Sequence, residues 1–140
     1  MNTQTGYSGD QFAVRLPATP RGARQARLLV VEQVAAWGLP TDGAGLVVGE
    51  LAANAVTHGR VPGRGFQVAL SLVGKVLRIE VMDTRRDRIP GLRDAEQDAE
   101  GGRGLVLVAA VADRWGVEEG LPPGKVVWAE WDLVGGRSGP

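Results

Sequence analysis

The stretch Glu50-Leu51-Ala52-Ala53-Asn54-Ala55-Val56-Thr57-His58-Gly59 decides the fold, because it sets two polar side chains into a helix that is otherwise apolar on most faces. Leu46 to Val56 reads Leu-Val-Val-Gly-Glu-Leu-Ala-Ala-Asn-Ala-Val, rich in helix formers, and predicts a buried helix. Glu50 and Asn54 are four apart and stack on one face, with Thr57 one turn further along the same stripe. An ionised carboxylate in an apolar interior costs several kcal/mol unless it is paired, hydrated or bound, so the stripe predicts one wall of a polar pocket. On this stretch alone a surface Glu50 and a hydrogen-bonded core Asn54 carry comparable weight. The rest of the chain shifts the balance.

Working outward, Phe12 to Leu16 alternates weakly and stops at Pro17, as an edge strand does. Thr19 before Pro20 is a helix cap with proline in the first turn, and Ala23, Ala26, Leu29, Val30, Val34 and Trp37 recur at helical spacing until Gly38 and Pro40. Thr41 or Asp42 then caps the central helix, which ends at His58-Gly59. Beyond it, Phe66 to Leu72 and Val76 to Val81 alternate apolar and polar residues across Gly74-Lys75, the pattern of a hairpin whose second strand runs into Asp83.

Thr84 to Gly102 is rich in acidic residues and arginine without an apolar period and reads as a long loop. Leu105 to Val111 follows Gly101-Gly102-Arg103-Gly104 and reads as a short buried helix, with a strand allowed by periodicity alone. Two closing strands, Arg114 to Glu118 and Val126 to Leu133, flank the turn Gly120-Leu121-Pro122-Pro123-Gly124. Strands and helices without βαβ alternation predict an α+β domain with a mixed, mostly antiparallel sheet and helices on one face.

Composition narrows the function. A chain of 140 residues that is 44% hydrophobic supports one domain, expected over 11–134, with a flexible N-terminus over 1–10 and a disordered tail over 135–140. Sixteen basic residues balance 16 acidic ones, which argues against direct nucleic-acid binding. The lack of cysteine removes disulfides, thiol catalysis and thiolate metal sites, and the single histidine, His58, reads as a capping or packing group. No signal peptide and no membrane-length apolar run are legible, so the expectation is a cytoplasmic protein without membrane contact.

Three features fall in order along the chain: Glu50 with Asn54, Asp83 at a strand end, and a glycine-rich turn opening an apolar helix. Glycines at a helix start let backbone amides approach phosphate, and the helix N-terminus adds favourable partial charge. Arg103 adds a candidate phosphate contact, the Asn54 carbonyl suits Mg²⁺ shared with nucleotide phosphates, and Glu50 is placed to orient or deprotonate a nucleophile. The P-loop pattern is absent, and Gly102-x-Gly104 lacks the third glycine of a dinucleotide fingerprint.

These residues together resemble the GHKL ATPase superfamily, in particular its small anti-sigma-factor serine/threonine kinase branch. Glu50 to Gly59 resembles the N box, whose Asn holds Mg²⁺ and whose Glu serves as general base. Asp83 matches the adenine-reading aspartate of the G1 box. Glu100-Gly101-Gly102-Arg103-Gly104-Leu105 resembles the G2 box at the end of the ATP lid, and Ala112 to Gly116 with Gly124-Lys125-Val126-Val127-Trp128-Ala129 resembles the closing strands.

The resemblance implies a Bergerat-type two-layer α/β sandwich that binds ATP and Mg²⁺. It implies Glu50 as catalytic residue, Asn54 as metal ligand, and Asn54, Asp83, Gly102, Arg103, Gly104, Leu105 and Lys125 as nucleotide-binding residues. It also implies a sigma factor or a STAS-type anti-sigma antagonist as protein partner, in a branch where homodimers are common. Two departures stand out: Thr84-Arg85-Arg86-Asp87-Arg88 lacks the glycines of a full G1 box, and Val126 stands where the family often has threonine. The first motivates an alternative in which nucleotide occupancy switches partner binding without phosphotransfer.

Overall fold

Pro17 closes the first strand because it has no N–H to continue a ladder, and Thr19 opens the first helix by accepting a hydrogen bond from the Gly22 amide at 3.0 Å. The chain turns so tightly here that a β-carbon at Gly22 would collide with the Pro17 carbonyl oxygen. The computed structural model describes residues 10–58, 65–83, 99–119 and 125–133. Over these the elements are β1 (Gln11–Pro17), α1 (Pro20–Ala36), α2 (Asp42–His58), β2 (Gly65–Val73), β3 (Val76–Asp83), α3 (Ala99–Val111), β4 (Arg114–Glu119) and β5 (Lys125–Asp132). Gly38, at φ 78°, ends the α1 segment and Gly74, at φ 61°, makes the β2–β3 turn, both in the left-handed region where glycine is unstrained.

The strands form one sheet in the order β1-β2-β3-β5-β4, and every pairing is antiparallel. β1 therefore lies at an edge, where its terminal proline is tolerated. Alternation decides the faces. Val14, Leu16, Phe66, Val68, Leu70, Leu77, Ile79, Val81, Val127 and Ala129 face the helices and join Val30, Val34, Val47, Val48, Leu51 and Val108 in one core. The antiparallel sheet with helices packed on it is the α+β two-layer arrangement expected, with no parallel pair among the described strands.

Two helices depart from expectation. α3 starts at Ala99, so Gly101 to Gly104 lie inside its first turns and do not form a turn ahead of it. Each helical glycine costs about 1 kcal/mol relative to alanine, which places the expected start too late; propagation from the packed half extends the helix back through them. Nor is α3 buried all round: Leu105 and Val108 enter the core while Val106 is 69% exposed. On α2, Leu46, Ala53 and Thr57 are likewise exposed, so that helix buries one broad face. The expectations for 1–9, most of the loop from Thr84 and the tail from Gly135 lie outside the described residues, as does the His58 side chain.

The outer sheet face carries charge. Arg78 donates to Glu80 at 2.7 Å and to Glu130 at 2.8 Å, while Arg114 donates to Glu130 at 2.9 Å and forks onto Asp132 at 2.8 and 3.0 Å. The Arg78 guanidinium also stands 4.5 Å from the Trp128 ring centroid. That ring lies across Gly116, where a β-carbon would come within 2.7 Å of it.

Hydrogen bonds from Arg78 and then Arg114 hold the Glu130 carboxyl below its ordinary value of 4.5. A depressed carboxyl stabilises the fold above its unfolded-state value, and the contribution is lost as pH falls through the folded value. Glu130→Gln is therefore expected to lower stability by about 1 kcal/mol at neutral pH, within the range of surface pairs. In urea titrations the gap from wild type should close as pH drops below about 4.5; a gap constant with pH would contradict this assignment.

Candidate functional site

Helix α2 packs over β3 and beside α3, and β3 pairs with β5, so α2 and β3 link the four elements that carry the sequence-derived candidates. Glu50 and Asn54 are both half-buried and one helical turn apart. The Asn54 Nδ2 is fully buried and has no hydrogen-bond partner among the described residues. A buried donor left unmade costs about 1–3 kcal/mol, so native structures seldom keep one without a reason. The only other such side-chain nitrogen among the described residues is Trp128 Nε1, on the opposite face of the sheet.

Thr57 departs from the predicted stripe. It is exposed and, with Gly49, Ala53, Arg24 and Arg27, lines a groove of about 380 Å³ between α1 and α2. Residue 57 lies between the two helical rows that start at 49 and 50, and the packing of α1 against α2 assigns it to the former. Neither this groove nor a hollow of about 300 Å³ lined by Gln11, Phe12, Ser71 and Glu80 includes Glu50, Asn54 or Asp83.

Asp83 is the last residue of β3 and Lys125 the first of β5, and the antiparallel register sets them directly opposite. Both point to the helix side of the sheet. The Lys125 Nζ lies 2.7 Å from Asp83 Oδ2, with side-chain exposures of 2% and 7%. Taking both charges out of water costs several kcal/mol per ion, which their attraction repays only in good geometry. The sequence alone points to both residues without joining them. The register supplies the missing signal: strand-end residues with matching alternation, each next to a loop, fall on one face of adjacent antiparallel strands.

Gly102, Arg103 and Gly104 lie on α3, with the Arg103 side chain outside the described residues. In a helix begun at Ala99 the N–H groups without intrahelical partners belong to the first turn, which adjoins these glycines. Leu105 is 4% exposed and belongs to the core cluster, where it anchors α3.

The chemistry of this set suits a nucleotide. It offers an unmade buried amide, a carboxylate one turn away, a fixed buried carboxylate at a strand end, and a glycine-bearing helix N-terminus. A half-turn of the Asn54 carboxamide exchanges nitrogen for oxygen, so the same position can offer the hard oxygen that Mg²⁺ prefers. Among the described residues no three histidine or acidic side chains gather as a metal cage. No described helix is long and apolar enough to cross a membrane.

Comparison with solved structures supports the architecture. The RsbU and RsbW domains of Rv1364c from Mycobacterium tuberculosis match with a TM-score of 0.68 at 22% identity, over 87% of this chain and 32% of that one. The chain thus spans about a third of that protein's length. The SiaB–SiaC complex from Pseudomonas aeruginosa matches with a TM-score of 0.59 at 11% identity, over 84% of this chain and 87% of the other. At these identities the likeness is one of fold. No curated protein matches the chain. The model of the histidine kinase-like ATPase domain matches residues 16–131, nearly the whole span of described elements, and the chain belongs to that family.

Proposed function

We propose that this protein binds ATP with Mg²⁺ and transfers the γ-phosphoryl group to a serine or threonine of a partner protein. The single observation that carries the reading is the unmade, buried Asn54 amide, one turn from Glu50 on the helix that covers β3. Family membership supports ATP as the nucleotide. Asp83 receives the adenine amino group, the α3 N-terminus with Gly102 and Gly104 receives phosphate, and Arg103 adds charge there. Leu105 holds α3 in place from the core, and Lys125 stands beside Asp83 at the base end as a further nucleotide-site residue. Mg²⁺, held by Asn54 and the phosphates, would supply charge neutralisation at the reacting phosphoryl group.

In the transfer step the partner hydroxyl oxygen forms its bond to the γ-phosphorus as the bond to the ADP oxygen breaks. Glu50 accepts the hydroxyl proton. Because such catalysis is mostly positioning and charge stabilisation, a half-buried carboxylate on a rigid helix is suited to it. The partner we propose is a STAS-type anti-sigma antagonist, with a sigma factor as a further binding partner. Support comes from the fold shared with an RsbW domain and with SiaB, the latter solved in complex with SiaC. A homodimer is the assembly proposed from the family resemblance. The composition supports a cytoplasmic protein that makes no direct contact with nucleic acid.

Glu50→Gln separates catalysis from binding. It is expected to keep ATP affinity within about threefold while lowering labelled-phosphate transfer to a co-purified partner by about 100-fold or more, the scale of general-base removal. Loss of ATP affinity in that variant would contradict the assigned role. The sequence after Asp83, which lacks glycine at Thr84-Arg85-Arg86, favours a second reading as a non-catalytic, ATP-operated switch. That reading gains if the wild type transfers no phosphate and Glu50→Gln still controls partner binding.

A further inference from the structure

We propose that Lys125 is a positioning residue that sets selectivity for the nucleotide base by acting through Asp83, and that it makes no contact with phosphate. The inference rests on the nucleotide reading above and names what that reading leaves open, the purpose of a buried lysine at its base-recognising end. Three observations carry it. The Lys125 side chain is 2% exposed, and its ammonium lies 2.7 Å from Asp83 Oδ2. Asp83 and Lys125 are direct cross-strand partners at the ends of β3 and β5, so backbone pairing fixes the approach of one to the other. The chain has only two lysines among its 16 basic residues, and one of them stands here.

The choice of lysine has a chemical consequence. An ammonium is a donor only, so the carboxylate oxygen it meets has to accept, and the carboxylate plane is held by that bond. A base edge read by such a carboxylate must bring a donor, as the adenine amino group does; the keto oxygen of inosine or guanine meets acceptor against acceptor. Arginine would act differently, because its planar fork takes both carboxylate oxygens at once. Lysine is a point charge and meets the carboxylate at a single oxygen, Oδ2. Burying such a pair adds little to stability, whereas fixing one geometry is a use to which buried ion pairs have been put.

The experiment compares wild type, Lys125→Met and Lys125→Arg for binding of adenosine, ADP, ATP and ITP, using calorimetry for the nucleotides and ligand-observed NMR for adenosine. A positioning role predicts that both variants lose adenosine, ADP and ATP by one common factor, about tenfold or more, the scale of a charge-assisted hydrogen bond. In Lys125→Met the preference for ATP over ITP should fall by a similar factor, since the carboxylate that reads the amino group is then no longer held in one orientation by the ammonium. A loss that grows from adenosine through ADP to ATP would assign Lys125 to phosphate and overturn the proposal. Unchanged affinity and preference in a folded variant would overturn it equally. If Lys125→Met does not fold, Lys125→Arg decides by the same common-factor criterion, because it retains the buried positive charge. A wild type that binds none of the four compounds removes the nucleotide reading itself, which is a distinct result from either reversal.

Discussion

Asp83→Ala is expected to destabilise the protein by about 3–5 kcal/mol, the scale of breaking a buried ion pair by removing one partner. The side chains of Asp83 and Lys125 are 7% and 2% exposed, so water cannot take over the role of the missing carboxylate without opening the ends of β3 and β5. For a chain of this size that cost lowers Tm by roughly 10–20 °C. The double change Asp83→Leu with Lys125→Met should recover most of the loss, because replacing both partners with apolar groups removes the desolvation cost along with the attraction. Urea or thermal unfolding of the two single variants and the double gives the coupling directly. Additive losses would mean that the pair contributes nothing as a pair.

Asn54→Ala is expected to act in the opposite sense on stability. The Asn54 Nδ2 is buried without a partner among the described residues, so deleting the amide removes a desolvation penalty and improves helix propensity. The variant should be between unchanged and about 1 kcal/mol more stable than wild type. Its Mg²⁺-dependent affinity for ATP should fall by about 100-fold or more, beyond what loss of an outer-shell metal contact costs. A residue that costs stability and is needed for binding is the signature of a functional position. If Asn54→Ala were instead clearly destabilised with ATP binding intact, the amide would belong to the architecture and the site would need to be placed elsewhere.

These two residues also show how the sequence could be read. Glu50 and Asn54 were legible because helical spacing and apolar surroundings make a polar pair conspicuous, and both are half-buried on α2 as that argument requires. Asp83 was legible as the last residue of an alternating strand. Its partner was not, since pairing across β3 and β5 depends on a register set by strands some 40 residues apart, 42 between the two side chains. The start of α3 at Ala99 was hidden because glycines at 101, 102 and 104 depress helix propensity where cooperative propagation prevails. Spacing does not place Thr57, because a step of three or four from residue 54 also reaches the row facing α1, and packing alone chooses. The outer-face network of Arg78, Glu130 and Arg114 was invisible for the same reason as the buried pair: its members meet only after the strands align.

Whether Glu50, Asn54 and Asp83 serve a nucleotide decides the function. Calorimetric titration of ATP into wild type and Asp83→Asn, each with and without Mg²⁺, tests this most directly. Micromolar binding to wild type that requires Mg²⁺ and is lost in Asp83→Asn is the expected result. No heat from wild type in either condition, or equal affinity in both proteins, would contradict it.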